Sequence, residues 1–132
     1  MSLDLDEISI QQRFEEVVAT EDKLQIKEFL NQQNISDVAD LIYENEEYET
    51  QIISHLSIHR AVGVFKILEL PVQKRIIKDL PPFTTAELLN ELPADDRTSF
   101  LSELSSNAVR ELVKTLNPEE RKITLSLLGY PE

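Results

Sequence analysis

The chain has 132 residues and a net charge of −12, from 25 acidic and 13 basic side chains. Phosphate backbones and anionic lipids repel such a chain, which argues against nucleic-acid or membrane-surface contact and leaves basic protein surfaces and divalent cations as compatible partners. There is no cysteine for a disulfide or thiolate metal site, there are only two glycines, and no apolar run comes near the roughly 20 residues that span a bilayer, so neither a signal peptide nor a membrane span is expected in these residues.

At this length one domain with a substantial core is expected. Residues 7–19 carry Ile8, Ile10, Phe14, Val17 and Val18 at helical spacing and predict a first helix. Asp22 opens a second, with Leu24, Ile26, Phe29 and Leu30 as its apolar set. Ser36 reads as the N-cap of a third, which contains Val38, Ala39, Leu41 and Ile42. The pattern then blurs, because Asn45 stands where a leucine is expected and Glu46-Glu47 where a Pro-rich turn is expected.

From there a twelve-residue repeat takes over, marked by Leu56, Leu68, Leu80, Leu92, Leu104, Leu116 and Leu128. The residues four and three places before each leucine are apolar as well, from Ile52-Ile53 through Leu112-Val113; Thr124, beside Leu125, is the single exception. Of these 21 positions 20 are apolar, where a chain that is 41% apolar fills roughly nine by chance. Offsets i, i+1 and i+4 share one helix face. The residue after each leucine is usually a turn former, as in Ser57, Pro81, Pro93, Ser105, Asn117 and Gly129; Glu69 is the weak member, and Pro71 follows it. Each unit therefore holds a helix of about eight or nine residues and a turn of about three or four. The helices are expected near 47–55, 58–68, 72–79, 84–91, 94–103, 106–115 and 118–128. Helices this short do not persist alone in water, so they must stack and bury their apolar stripes, with the seven leucines inside. The expectation is an all-α superhelical array, an α-solenoid of about ten short helices.

Chemistry is sparse. His55 and His59 have the i, i+4 spacing of zinc ligands, but Leu56 ends one unit and Ser57 begins the turn, so the pair straddles a break. No nucleophile elbow or Ser-x-x-Lys unit is present, and an array of short amphipathic helices seldom builds a deep, dry cleft, so no enzymatic activity is expected. The acidic pairs in Pro93-Ala94-Asp95-Asp96 and Asn117-Pro118-Glu119-Glu120 stand at unit starts. Acids there complement the free amides and dipole of a helix N-terminus, contributing about 0.3–1 kcal/mol each. They also suit a hard cation such as Mg²⁺, which takes one or two carboxylates and keeps several waters.

The segments Leu92-Pro93-Ala94-Asp95-Asp96, Ile35-Ser36-Asp37-Val38-Ala39-Asp40-Leu41-Ile42 and Leu80-Pro81-Pro82-Phe83 closely resemble the cytosolic N-terminal domain of MgtE-type magnesium transporters. The ending Leu127-Leu128-Gly129-Tyr130-Pro131-Glu132 resembles the junction at which that family enters its paired CBS domains. The resemblance covers residues 10–132 and leaves 1–9 as an N-terminal extension, open to disorder. It implies a regulatory domain on the cytoplasmic side of the membrane, in an integral membrane protein that is a homodimer, with no membrane contact of its own. Mg²⁺ held between acidic faces of this domain and the CBS domains of the same chain would favour the closed pore. Asp95, and after it Asp96, match the family's acidic position at such an interdomain site. Gly63 stands mid-helix where some members carry an acid, and Asn45-Glu46-Glu47 replaces Leu-Pro-Pro. The alternative is a protein-interaction α-solenoid without metal function, similar to the middle region of the flagellar motor switch protein. A continuation of the reading frame into CBS-like repeats and apolar spans separates the two.

Overall fold

The computed structural model describes residues 9–130. Ile8, and the Pro131-Glu132 ending, lie outside the described residues. The chain falls into two compact units, 1–68 and 69–132. Ten α-helices and one 3₁₀ turn make up the regular structure of the described residues, and none of it is strand, so the all-α expectation holds.

The first unit contains α1 (Ile10–Ala19), α2 (Lys23–Asn31), α3 (Ile35–Glu44), a 3₁₀ turn (Glu46–Tyr48), α4 (Glu49–His55) and α5 (Ile58–Ile67). Ser9 and Asp22 cap α1 and α2 by accepting hydrogen bonds from first-turn amides. The cap of α3 is Asn34, not Ser36. Asn34 is extended, with ψ 149°, and its carbonyl accepts the first helical bond from Val38, so Ser36 falls inside the first turn. Each helix packs on its neighbour and on the next but one: α1 on α2 and α3, α2 on α4, α3 on α4 and α5. Phe14, Leu30, Val38, Leu41, Ile52 and Val64 are all at most 2% exposed. Phe14 also meets Tyr48 edge to face, at 5.8 Å between ring centroids.

Asn45 explains the blurred register. It is buried, and its side chain exchanges two hydrogen bonds with Gln11, at 2.6 and 2.9 Å, while also donating to the Leu41 carbonyl at 2.8 Å. An amide pair thus fills a place that leucine fills elsewhere, and the 3₁₀ turn follows it directly.

The second unit contains α6 (Leu70–Asp79), α7 (Pro82–Glu91), α8 (Ala94–Leu101), α9 (Ser106–Val113) and α10 (Pro118–Leu128). Helices α6 and α7 begin two residues before the expected starts at 72 and 84. Pro71 and Pro82 sit in the first turn of their helices rather than in the preceding linkers, where a missing N–H costs nothing. Five of the seven repeat leucines are buried, Leu56 to Leu92 and Leu116, while Leu104 and Leu128 are half-buried. Gly129 adopts φ 80° after α10, and the Tyr130 amide folds back to the Leu125 carbonyl at 2.9 Å, which ends the helix.

Both units use the same asparagine clip. Asn31 donates to the carbonyls of Lys27 (2.7 Å) and His55 (2.9 Å) and accepts from the Ser57 amide (2.9 Å). Asn90 donates to Ala86 (2.8 Å) and Thr115 (3.2 Å) and accepts from the Asn117 amide (2.8 Å). Each clip ties one helix to the linker two helices further on, satisfying backbone groups that the turn leaves open.

Candidate functional site

The N-terminus of α8 is set by Pro93, an extended residue whose carbonyl accepts from the Arg97 amide at 2.9 Å. No side chain caps this end, so the first-turn acids Asp95 and Asp96 are the charges that complement its free amides. Asp95 is exposed and Asp96 half-buried.

The turn is fixed by the residue that follows the pair. Arg97 is 1% exposed, although arginine is rarely buried without partners. Its Nε donates to the Leu89 carbonyl at 2.8 Å, and its Nη2 to the carbonyls of Leu92 (2.8 Å) and Asn90 (3.3 Å). These are the open carbonyls at the end of α7. Nη1 donates to the Thr124 hydroxyl at 2.8 Å, and Nη2 also meets the Glu120 carboxylate at 2.9 Å. One guanidinium therefore locks the start of α8 to the end of α7 and to α10. Arg121 repeats the device one helix pair later, donating to the carbonyls of Val113 (3.2 Å), Lys114 (3.2 Å) and Leu116 (2.9 Å).

The two acidic pairs match in exposure, the first member, Asp95 or Glu119, being exposed and the second, Asp96 or Glu120, half-buried. On α10, Glu120 turns inward to Arg97, and its amide is capped by Asn117 at 2.9 Å. On α8, Asp95 remains on the surface. Thr124, the lone polar residue among the 21 repeat positions, is fully buried because its hydroxyl is the acceptor for Arg97. Sequence reasoning passed over Arg97. The available signal was an arginine five places after both Leu92 and Leu116, two repeats apart, with a polar exception at Thr124.

His55 ends α4 and His59 lies in the first turn of α5, so the chain breaks between them; the His55 Nδ1 is 2.7 Å from the Gln51 carbonyl. Among the described residues, no three or more His, Cys, Asp or Glu side chains come together to hold a metal ion. The carboxylates of Asp95 and Asp96 are hard oxygen donors of the kind and number that Mg²⁺ accepts while keeping its waters. Two carboxylates on one turn do not by themselves make a cage for the ion. No helix among the described residues is long and apolar enough to cross a membrane.

An all-helical repeat domain that offers an acidic turn held by a buried arginine belongs to the class of interaction and regulatory modules. Residues 33–132 match the family described as the MgtE intracellular N domain, and the chain belongs to that family. A solved structure, the cytosolic domain of the Mg²⁺ channel MgtE in complex with ATP, superposes with a TM-score of 0.82 at 25% identity. The superposition covers 92% of this chain and 51% of that one, so the chain spans about half the length of that domain. No curated protein sequence matches the chain.

Proposed function

We propose that this chain is the Mg²⁺-sensing regulatory domain of a magnesium transporter, on the cytoplasmic side of the membrane, and that it is not an enzyme. Its partners are the CBS domains of the same polypeptide, in a homodimeric transporter. The observation that carries this reading is the acidic turn of α8, held by Arg97, in a chain of the MgtE intracellular N domain family. Asp95 and Asp96 supply the half of a Mg²⁺ site that faces the CBS domains. With −12 on this chain, docking onto another acidic surface is opposed by repulsion, and a divalent cation between them removes that penalty. The cation shifts the docked population only by its differential affinity for the docked state.

Alone, the domain should bind Mg²⁺ weakly, because two carboxylates on an exposed turn do not displace the waters of the ion. Joined to its CBS partner, it should close in millimolar Mg²⁺ and separate without it. A cation that binds only the closed form stabilises it by about 2.7 kcal/mol at a hundredfold excess over Kd. Asp95→Ala removes a ligand and some repulsion together, so closure should become less Mg²⁺-dependent. Small-angle scattering of the joined protein at matched ionic strength tests this. Equal dimensions with and without Mg²⁺ would sink the sensing role and leave the interaction-array reading.

A further inference from the structure

The repeat calls for burial at 21 positions, yet in the second unit Ile77, Leu104 and Leu112 stay half-buried. All three line one open groove of about 470 Å³. One wall is α6, whose charged groove residues are Lys74 and Lys78; the opposite wall runs from the end of α8 into α9, where they are Glu103 and Glu111. All four charged residues are exposed. Glu111 reaches Lys114 at 3.5 Å, an exposed pair one turn along its own helix. The groove is therefore an apolar floor between a basic wall and an acidic wall.

We propose that this groove is a self-association surface that takes a second copy of the same chain. A two-fold rotation places the basic wall of each copy against the acidic wall of the other, so one patch complements itself, as an isologous interface requires. A uniformly acidic or basic partner would satisfy one wall and be repelled by the other. The net charge of −12 opposes pairing over long range, but at about 0.15 M salt the screening length is about 8 Å, and adjacent walls and apolar floors still attract. Dimerisation should therefore strengthen between low and physiological salt. The proposal does not rest on the Mg²⁺ reading.

Sedimentation equilibrium of the 132-residue chain, from micromolar to millimolar concentration, tests it with two charge-reversed variants. One carries Lys74→Glu with Lys78→Glu and the other Glu103→Lys with Glu111→Lys; circular dichroism melts show whether each is folded. Each variant alone should dimerise at least about tenfold more weakly than the parent. The equimolar mixture should recover a heterodimer, because each altered wall then meets one of opposite sign. A parent that stays monomeric at every concentration overturns the proposal. So does a dimer that both variants leave intact, which would use another surface, or a mixture that fails to recover pairing.

Discussion

Replacing Thr124 by valine puts the structure and the repeat pattern in direct opposition. The pattern wants an apolar residue at this position, and burying a methyl in place of a hydroxyl is worth about 0.8 kcal/mol on transfer grounds. The structure says that the hydroxyl accepts from Arg97 Nη1 at 2.8 Å, with Thr124 fully buried and Arg97 1% exposed. Valine keeps the shape and removes the acceptor, leaving a charged donor with no water to turn to. Hydrogen bonds to charged groups contribute about 1.5–3 kcal/mol, and an unsatisfied buried donor loses its full desolvation penalty. The net effect of Thr124→Val should be destabilisation by about 1–2 kcal/mol. Urea unfolding followed by circular dichroism measures it, as a lower midpoint with an unchanged slope. The same substitution in an Arg97→Met background should be neutral or stabilising, because the donor is gone, and the difference between the two is the coupling energy. If Thr124→Val is as stable as the parent while Arg97 is present, the guanidinium is not held as described.

Leu92→Ala should cost about 2–5 kcal/mol, whereas Leu104→Ala, at a half-buried repeat position, should cost under about 1.5 kcal/mol, both read from urea midpoints. Gly63→Ala should stabilise the chain by about 0.4–1 kcal/mol. Gly63 lies inside α5, and an added Cβ would sit 3.4 Å from Ile35 Cδ1, an ordinary contact. The Gln25 amide, the Gln25 side chain and the Leu24 amide hold the Asp22 carboxyl below its usual value of 3.8, against a small opposing effect of burial. Its charged form therefore supports folding above the unfolded pKa, and that support fades as pH falls through the lowered folded value. Asp22→Asn, which keeps a capping oxygen, should flatten this acid limb, and an NMR titration of the carboxyl checks the direction.

The array was legible in the sequence because its cause is periodic. A leucine every twelve residues with two apolar companions requires a helix and a turn of fixed length, and the seven helices α4 to α10 follow from it, while α1 to α3 were legible from apolar residues at helical spacing. Helix starts were less legible where proline was concerned. Pro71 and Pro82 break a helix from within but open one from its first turn, and local composition does not distinguish the two. The candidate carboxylates Asp95 and Asp96 were visible as a charged pair at a unit start. The group that positions them was not, because an arginine that follows two acids and precedes Thr98 and Ser99 reads as surface. Its burial is decided by acceptors distant in sequence: the carbonyls of Leu89, Asn90 and Leu92, the carboxylate of Glu120 and the hydroxyl of Thr124.

Those acceptors also bear on how a repeat acquires a distinct site. Counted from Leu92 and Leu116, both segments carry acids three and four places on and an arginine five places on, and in both the arginine donates to the carbonyls three and two places before the leucine and to that of the leucine itself. The capping device is thus a property of the repeat. So is the order of exposure, with Asp95 and Glu119 exposed and Asp96 and Glu120 half-buried. Glu120 lies within reach of Arg97, two helices earlier in the chain, and is drawn inward. Asp95 is exposed on a turn that Arg97 already ties to the end of α7 and to α10. The conformational cost of ordering that turn is met when the unit folds, not when an ion or a partner arrives, and a preorganised ligand is where binding energy is least diluted. Under the proposed sensing role, the buried cation therefore serves the exposed anion by holding its helix in place, and the departure of Thr124 from the apolar pattern is the visible consequence in sequence.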